Sequence, residues 1–280
     1  MARTKAFAPA KLNLTLHVTG QRADGYHLLD SLVAFADIGD WITISDAPNL
    51  ALTVTGPRGA GVPTGADNLV LKAARFMGVE RAHIHLEKHL PAAAGIGGGS
   101  ADAAATLRAC ALHFGMEVPG GAESLGADVP VCLQAGLVRM RGVGEQLEQL
   151  PLMPEIWVVL VNPGVDVPTP AVFKALKSKT NPAMQASLPR FATGQGLVDF
   201  LTLQRNDLEA PARAQAPVIS DVLERIAKTS GCLLARMSGS GATCFGLFSD
   251  AASAARASQD IRHSRSGWWV VDAPLRAGNS

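Results

Sequence analysis

The sequence is short of aromatic residues, which make up 5% of it, and it holds a single tyrosine, Tyr26. It also lacks an excess of charge: 25 Lys and Arg stand against 24 Asp and Glu, a formal net charge of +1. A protein that grips nucleic acid by neutralising many phosphates needs a basic surface, so this balance argues against that class. A small anionic ligand needs only a few local charges and is not excluded. Apolar runs are short, as at 156–161, and fall far below the ~18 residues of a membrane span. The four cysteines, Cys110, Cys132, Cys232 and Cys244, form no C-x-x-C pair. In a chain of this length they are expected to be reduced, buried, small apolar residues of a cytoplasmic protein.

What is present is apolar bulk and glycine. Hydrophobic residues make up 48% of 280 residues, enough for a large core and about two domains on a ~150-residue prior. The first eighteen residues are basic and then apolar, but Lys11 and Asn13 interrupt them, so they are not expected to act as a secretory leader. The 28 glycines are unevenly placed.

Residues 10–18 alternate, with Ala10, Leu12, Leu14, Leu16 and Val18 on one face and Lys11, Asn13, Thr15 and His17 on the other. That pattern predicts a half-buried strand. Further strands are expected at 41–45, 50–55, 83–87, 131–133, 136–141, 156–161, 232–237, 243–248 and 268–271. Helices are expected from Leu69, capped by Asn68, and at 101–114, 170–176, 196–203, 219–228 and 251–262. Strands and helices mix without strict βαβ alternation, which predicts an α+β protein of two domains. The Leu- and Pro-rich stretch at 150–155 reads as the linker, giving domains at 1–153 and 154–280.

The strongest chemical signal is Pro91-Ala92-Ala93-Ala94-Gly95-Ile96-Gly97-Gly98-Gly99-Ser100-Ala101, between a strand and a helix. Glycines let backbone N–H groups turn inward, and the free N–H groups of the following helix add positive potential. Together they predict an anion site, most simply for phosphates. No Gly-Lys-Ser/Thr follows, so it is not a P-loop, and Ser100 stands where a dinucleotide fingerprint has its third glycine. The plain alternative is a flexible linker, though a linker need not open a good helix.

Lys11 and Asn13, two residues apart on a strand, project to one face; a solvated surface lysine is the alternative. Asp128, in Leu125-Gly126-Ala127-Asp128-Val129-Pro130, reads either as a half-buried carboxylate or as a helix cap. Gly239-Ser240-Gly241-Ala242 is either a hairpin turn or a second small-residue loop against a ligand. Tyr26 and His27 follow an Asp-Gly turn and can stack on a planar base or cover a loop. His83, His85 and His89 lack the partners of a known zinc motif, and no metal site is assigned to them.

Taken together, these motifs resemble the kinase superfamily named for galactokinase, homoserine kinase, mevalonate kinase and phosphomevalonate kinase (the GHMP kinases). The resemblance rests on Pro9-Ala10-Lys11-Leu12-Asn13-Leu14, Arg22-Ala23-Asp24-Gly25-Tyr26-His27 and Asp67-Asn68-Leu69. It continues through the glycine loop, Gly126 to Pro130, and Pro163 to Phe173, and runs to about Phe248. Within the superfamily the match is nearest to the branch acting on cytidine diphosphate methylerythritol. The resemblance implies an N-terminal ATP-binding domain like domain 2 of ribosomal protein S5 and a C-terminal ferredoxin-like α/β plait. It implies ATP-dependent phosphorylation of the 2-hydroxyl of the methylerythritol unit in the non-mevalonate isoprenoid pathway; the alternatives are another small-alcohol kinase of the same superfamily, such as one like homoserine kinase, and a non-catalytic nucleotide-binding sensor. On the same ground Asp128 is the expected general base and Lys11 its partner. Residues 91–101, with Asn68 and Leu69, are expected to hold ATP, and Ser100 to help organise Mg²⁺ carried by ATP. Asn13, Tyr26, His27, Thr169, Phe173, Gly239, Ser240 and Gly241 are expected to hold the substrate, with Tyr26 and Phe173 flanking the cytosine. A cytoplasmic monomer or weak homodimer, binding neither nucleic acid nor membrane, completes the expectation. Two departures from the family pattern are a short stretch at 115–125 and alanines at 92–94 in place of a glycine-containing lead-in.

Overall fold

The computed structural model describes residues 3–92, 94–151 and 154–276. Ala93 and the expected boundary after Met153 therefore lie outside the described residues. In chain order the elements are β1 (Arg3–Asn13), β2 (His17–Gln21), β3 (His27–Ser45), β4 (Ala51–Thr55), α1 (Leu69–Phe76), β5 (His83–Glu87), α2 (Gly98–Phe114) and α3 (Val129–Cys132). They continue with β6 (Val138–Gly142), β7 (Gln146–Gln149), β8 (Trp157–Asn162), α4 (Thr169–Lys174), α5 (Gly194–Thr202) and α6 (Glu209–Gln215). The chain closes with α7 (Val218–Ala227), β9 (Leu234–Met237), β10 (Cys244–Phe248), α8 (Ala251–Ser264) and β11 (Trp269–Pro274). The protein is α+β, as expected.

The chain forms two compact units, each assembled from separate stretches. The first comprises Met1–Lys11, Ile38–Ala92 and Gly97–Gln134; the second comprises Leu12–Asp37, Ala93–Ile96 and Ala135–Ser280. In the first unit β4 runs parallel to β5, and β5 antiparallel to residues 41–45 of β3. Ile42, Ile44, Ile84 and Leu86 are buried on one side of these strands, and Val70, Ala74, Ala103 and Leu107 supply buried positions of α1 and α2. Asn68 caps α1 as its sequence predicts: its side chain accepts from Val70 N at 2.8 Å.

In the second unit residues 27–33 of β3 pair antiparallel with β2 and β6, and β6 turns back into β7. A separate antiparallel sheet runs in the order β11-β8-β10-β9. Its core collects Val159, Val161, Cys244 and Phe248 with Ile219, Val222 and Ile226 of α7 and Ala254, Ala257 and Ile261 of α8. These are the apolar stripes of two amphipathic helices laid on a sheet.

Three expectations need correction. The strand expected at 131–133 belongs to the one-turn helix α3. Pro130, near its start, has the fixed φ of a first helical turn and no N–H to offer a strand ladder. The alternation over 10–18 is real, but its polar side is not solvated: Lys11, Asn13, Thr15 and His17 are all buried, and the strand breaks between Asn13 and His17. Finally, β7, α6 and residues 27–40 of β3 carry no expected element. Polar Gln146–Gln149 and the Ala-rich α6 show too weak a period to be read.

Candidate active site

In the first unit the glycine loop runs into α2 through Gly97, whose φ of 62° makes it a left-handed N-cap. A Cβ there would stand 3.0 Å from Lys11 Cε and 3.2 Å from Lys11 Cβ, so only glycine lets the loop cross the lysine stem. Gly97 offers no side chain to cap α2. The first N–H groups of that helix, at Gly98, Gly99 and Ser100, are therefore those an anion would take. Leu69 approaches Gly99 to 3.4 Å of its Cβ position, and the Ser100 hydroxyl lies 3.9 Å from that of Gly126. Leu69, Ser100 and Gly126 thus gather around one helix start.

Lys11 Nζ lies 2.9 Å from Asp128 Oδ2; the lysine side chain is 4% exposed and the aspartate 36%. The solvated-lysine alternative is set aside by this geometry. Asp128 is the N-cap residue of α3, yet its side chain makes no capping hydrogen bond. Its carboxylate is directed to Lys11 and keeps an exposed edge. A buried ammonium fixing a half-exposed carboxylate beside a phosphate-type loop can orient a hydroxyl and receive its proton.

A second charged cluster under the same loop had no place among the expected site residues. Lys88 Nζ donates to Asp40 Oδ2 and, at 2.7 Å, to Asp102 Oδ2. Asp40 Oδ1 also accepts from His89 N at 2.5 Å and Leu90 N at 2.8 Å. Asp102 Oδ1 is buried and has no hydrogen-bond partner among the described residues. Burial pushes the Asp102 carboxyl up to about 7; Lys88 pulls it down and Asp40 pushes it further up. Burial works against the charged Lys88, but the carboxylates of Asp102 and Asp40 outweigh it and hold the ammonium above its ordinary range. The Nζ of Lys88 stands 3.3 Å from the Cβ position of Gly98. The signal for Lys88 was readable: in residues 83–90 the even positions Ile84, Leu86 and Leu90 face inward, and Lys88 shares their parity. Burial also pushes the Cys132 thiol up to about 12, so it stays a thiol at neutral pH.

In the second unit the remaining candidates fall into two groups. Residues 94–96 lie against the turn between β9 and β10. A Cβ on Gly95 would come 2.6 Å from the carbonyl oxygens of both Ser238 and Gly241. Ser238 Oγ donates to Gly95 O at 3.0 Å, and Thr243 N donates to Ala94 O at 3.2 Å. Asn13 N donates to Ser238 Oγ at 3.1 Å, and Asn13 Nδ2 to Ser31 Oγ at 2.8 Å. Thr169, which opens α4, shares a hydrogen bond with Ser240 at 2.6 Å between hydroxyl oxygens. The turn is braced from behind by Asn206, whose Nδ2 donates to Met237 O and Gly239 O, each at 2.8 Å. Nothing in an isolated Asn-Asp pair marks Asn206 in the sequence as a site residue.

The other group holds rings. Phe173, one turn after Thr169 on α4, stacks on His27 with centroids 4.6 Å apart and planes at 24°. Tyr26 stands out in solvent at 63% exposure. The His27 Nε2 atom is buried without a partner among the described residues. Burial and the charge of Lys179 hold His27 below its ordinary pKa, which favours the neutral ring. Of the remaining loop residues, Ala94 and Ile96 are buried, Pro91 is half-buried and Ala92 exposed.

Residues 68–136 match the family described as GHMP kinases N terminal domain, and residues 194–264 match GHMP kinases C terminal. A 4-diphosphocytidyl-2-C-methyl-D-erythritol kinase of Dinoroseobacter shibae is 60% identical over 270 residues, covering 96% of this chain and 94% of that protein. The protein of the same name from Cereibacter sphaeroides is 57% identical over 276 residues, covering 97% of this chain and 99% of that one. Among solved structures, a crystal structure of a 4-(cytidine 5'-diphospho)-2C-methyl-D-erythritol kinase matches with a TM-score of 0.78 at 34% identity. That match covers 99% of this chain and 100% of the other.

Proposed function

The chain belongs to the 4-diphosphocytidyl-2-C-methyl-D-erythritol kinase family within the GHMP kinases, and from that premise we propose that it phosphorylates the 2-hydroxyl of 4-diphosphocytidyl-2-C-methyl-D-erythritol with ATP. The hydroxyl oxygen bonds to the γ-phosphorus, the bond from that phosphorus to the β–γ bridging oxygen breaks, and ADP leaves. The step belongs to the non-mevalonate route to isoprenoid precursors. The observation that carries this reading is the Lys11–Asp128 pair, 2.9 Å apart, with the lysine stem under Gly97 of the glycine loop.

Asp128 receives the hydroxyl proton as the new P–O bond forms, a role worth ~10²–10⁴-fold in rate. Lys11 orients that carboxylate and offsets charge at the attacking oxygen. The N–H groups of Gly98, Gly99 and Ser100 take phosphate oxygens, and Asn68 and Leu69 lie toward the nucleoside. Positioning and charge stabilisation of this kind account for most of phosphoryl-transfer catalysis. Mg²⁺ keeps waters and phosphate oxygens among its ligands and asks little of the protein. The Ser100 hydroxyl, beside Gly126 and at the helix start, suits it, and the ion supplies neutralisation of the phosphate charge. Tyr26 and Phe173 offer ring faces to the cytosine, His27 Nε2 a polar contact, and Asn13, Thr169 and residues 239–241 bind the remainder of the substrate.

No helix among the described residues is long and apolar enough to cross a membrane, and we place the protein in the cytoplasm. The test is a coupled ADP-release assay with the cytidine substrate against homoserine, galactose and mevalonate. Turnover is expected with the cytidine substrate alone; ADP release only with one of the competitors overturns the assignment.

A further inference from the structure

Lys11 lies near the end of β1, and Asp128 stands at the start of the one-turn helix α3. The strand β1 ends two residues after Lys11, and α3 is a single turn. A helix of four residues has too few internal hydrogen bonds to sustain itself. Its N-cap side chain, that of Asp128, is not used for capping.

Arg108, midway along α2, bridges these two elements. Its Nη1 donates to Cys132 O at 2.8 Å, and its Nη2 donates to Phe7 O at 2.9 Å. Cys132 is the last residue of α3, four residues on from Asp128, and Phe7 lies on β1 four residues before Lys11. The guanidinium is a planar fork of fixed geometry, so two bonds from it set the spacing of the two carbonyls it holds. Its charge also stands at the C-terminal end of α3, where helix carbonyls favour a cation. Because α2 opens on the glycine loop, one side chain ties together the elements that carry the loop, the lysine and the aspartate.

We propose that Arg108 is a positioning residue for phosphoryl transfer, whose fork keeps β1 and α3 at the separation that holds Lys11 on Asp128. The proposal rests on the reading of Lys11 and Asp128 as the reacting pair. In that frame Arg108 touches neither substrate; it acts on the rate through the alignment of Asp128. A change that lets α3 move by about 1 Å costs up to ~10²-fold in turnover.

The experiment measures kcat and KM for both substrates in the full chain carrying Arg108→Met, Arg108→Lys, Asp128→Asn, or Arg108→Met together with Asp128→Asn. Arg108→Met is expected to lower kcat by ~10–100-fold. Both KM values should stay within about twofold of wild type, the pattern of an interaction that serves the transition state. Added to Asp128→Asn, the same change should cost less than about threefold, because residues acting as a unit are not additive. Arg108→Lys keeps the charge with one arm and should recover only part of the rate; it serves for the same cycle where Arg108→Met fails to fold. Wild-type kcat in Arg108→Met, or a full multiplicative loss in the double variant, overturns the proposal while leaving the pair intact. Wild-type kcat in Asp128→Asn instead removes the pair itself, and the proposal with it.

Discussion

Asp102→Asn addresses the most displaced carboxyl of the first unit. Burial raises this group from its ordinary 3.8 to about 7, with Lys88 opposing and Asp40 reinforcing the rise. In the unfolded chain it ionises near 3.8. Between those values the folded chain keeps a proton that the unfolded chain releases. The stability that proton contributes is therefore complete below pH 3.8 and is lost as pH rises toward 7. Each pH unit of that window is worth ~1.4 kcal/mol, so the whole is ~4 kcal/mol. Asparagine carries no such proton, keeps a carbonyl oxygen for Lys88, and places an amide where Oδ1 has no partner among the described residues. Urea unfolding of both proteins at pH 5 and pH 8 crosses about two pH units of the window. Asp102→Asn should gain ~3 kcal/mol on wild type between the two pH values. A difference between the two proteins that stays constant with pH would refute the reasoning.

Three further outcomes are expected. Lys88→Met strands the Asp40 and Asp102 carboxyls in the interior and should lower stability by about 3–5 kcal/mol in denaturant titrations; an unchanged midpoint would remove Lys88 from the support of the loop. Gly95→Ala places a Cβ 2.6 Å from two carbonyl oxygens at a φ of +70°, and should cost about 1–3 kcal/mol together with activity, read by thermal melting beside the ADP assay. Phe173→Ala deletes the ring stacked on His27 and should raise KM for the cytidine substrate by about 2–10-fold; an equal rise in KM for ATP would count against a base-stacking role.

Much of the fold was legible because its elements are built on strong local patterns. The strand β5, the capped start of α1 and the amphipathic α7 and α8 follow from period and capping alone. The misread turn at Val129–Cys132 shows the limit: two valines in short range favour a strand, while Pro130 and the tie to Arg108 favour a helix, and the second influence comes from 24 residues away. The same limit applies to the site. Lys11, Asp128 and the glycines announce themselves by residue type, and their meeting was expected through a resemblance. Asp40, Lys88 and Asp102 are brought together across sequence separations of 48 and 14, and only the parity Lys88 shares with the buried positions of β5 hints at burial. Gly95 and Gly239 illustrate the reverse case. Gly95 is small because the backbones of Ser238 and Gly241 are there, and Gly239 because that of Gly95 is, relations that glycine content reveals only as an unexplained abundance.

The lone tyrosine has a practical side. Tyr26 is 63% exposed and immediately precedes His27, whose ring is already paired with Phe173. Growth on fluorinated tyrosine would label this one position and no other in the chain. A single fluorine resonance would then report directly on whatever approaches these rings, with no substitution at the site and no spectral overlap to resolve. Scarcity of one residue type thus gives the protein its own reporter, readable by titrating cytidine ligands and nucleotides separately.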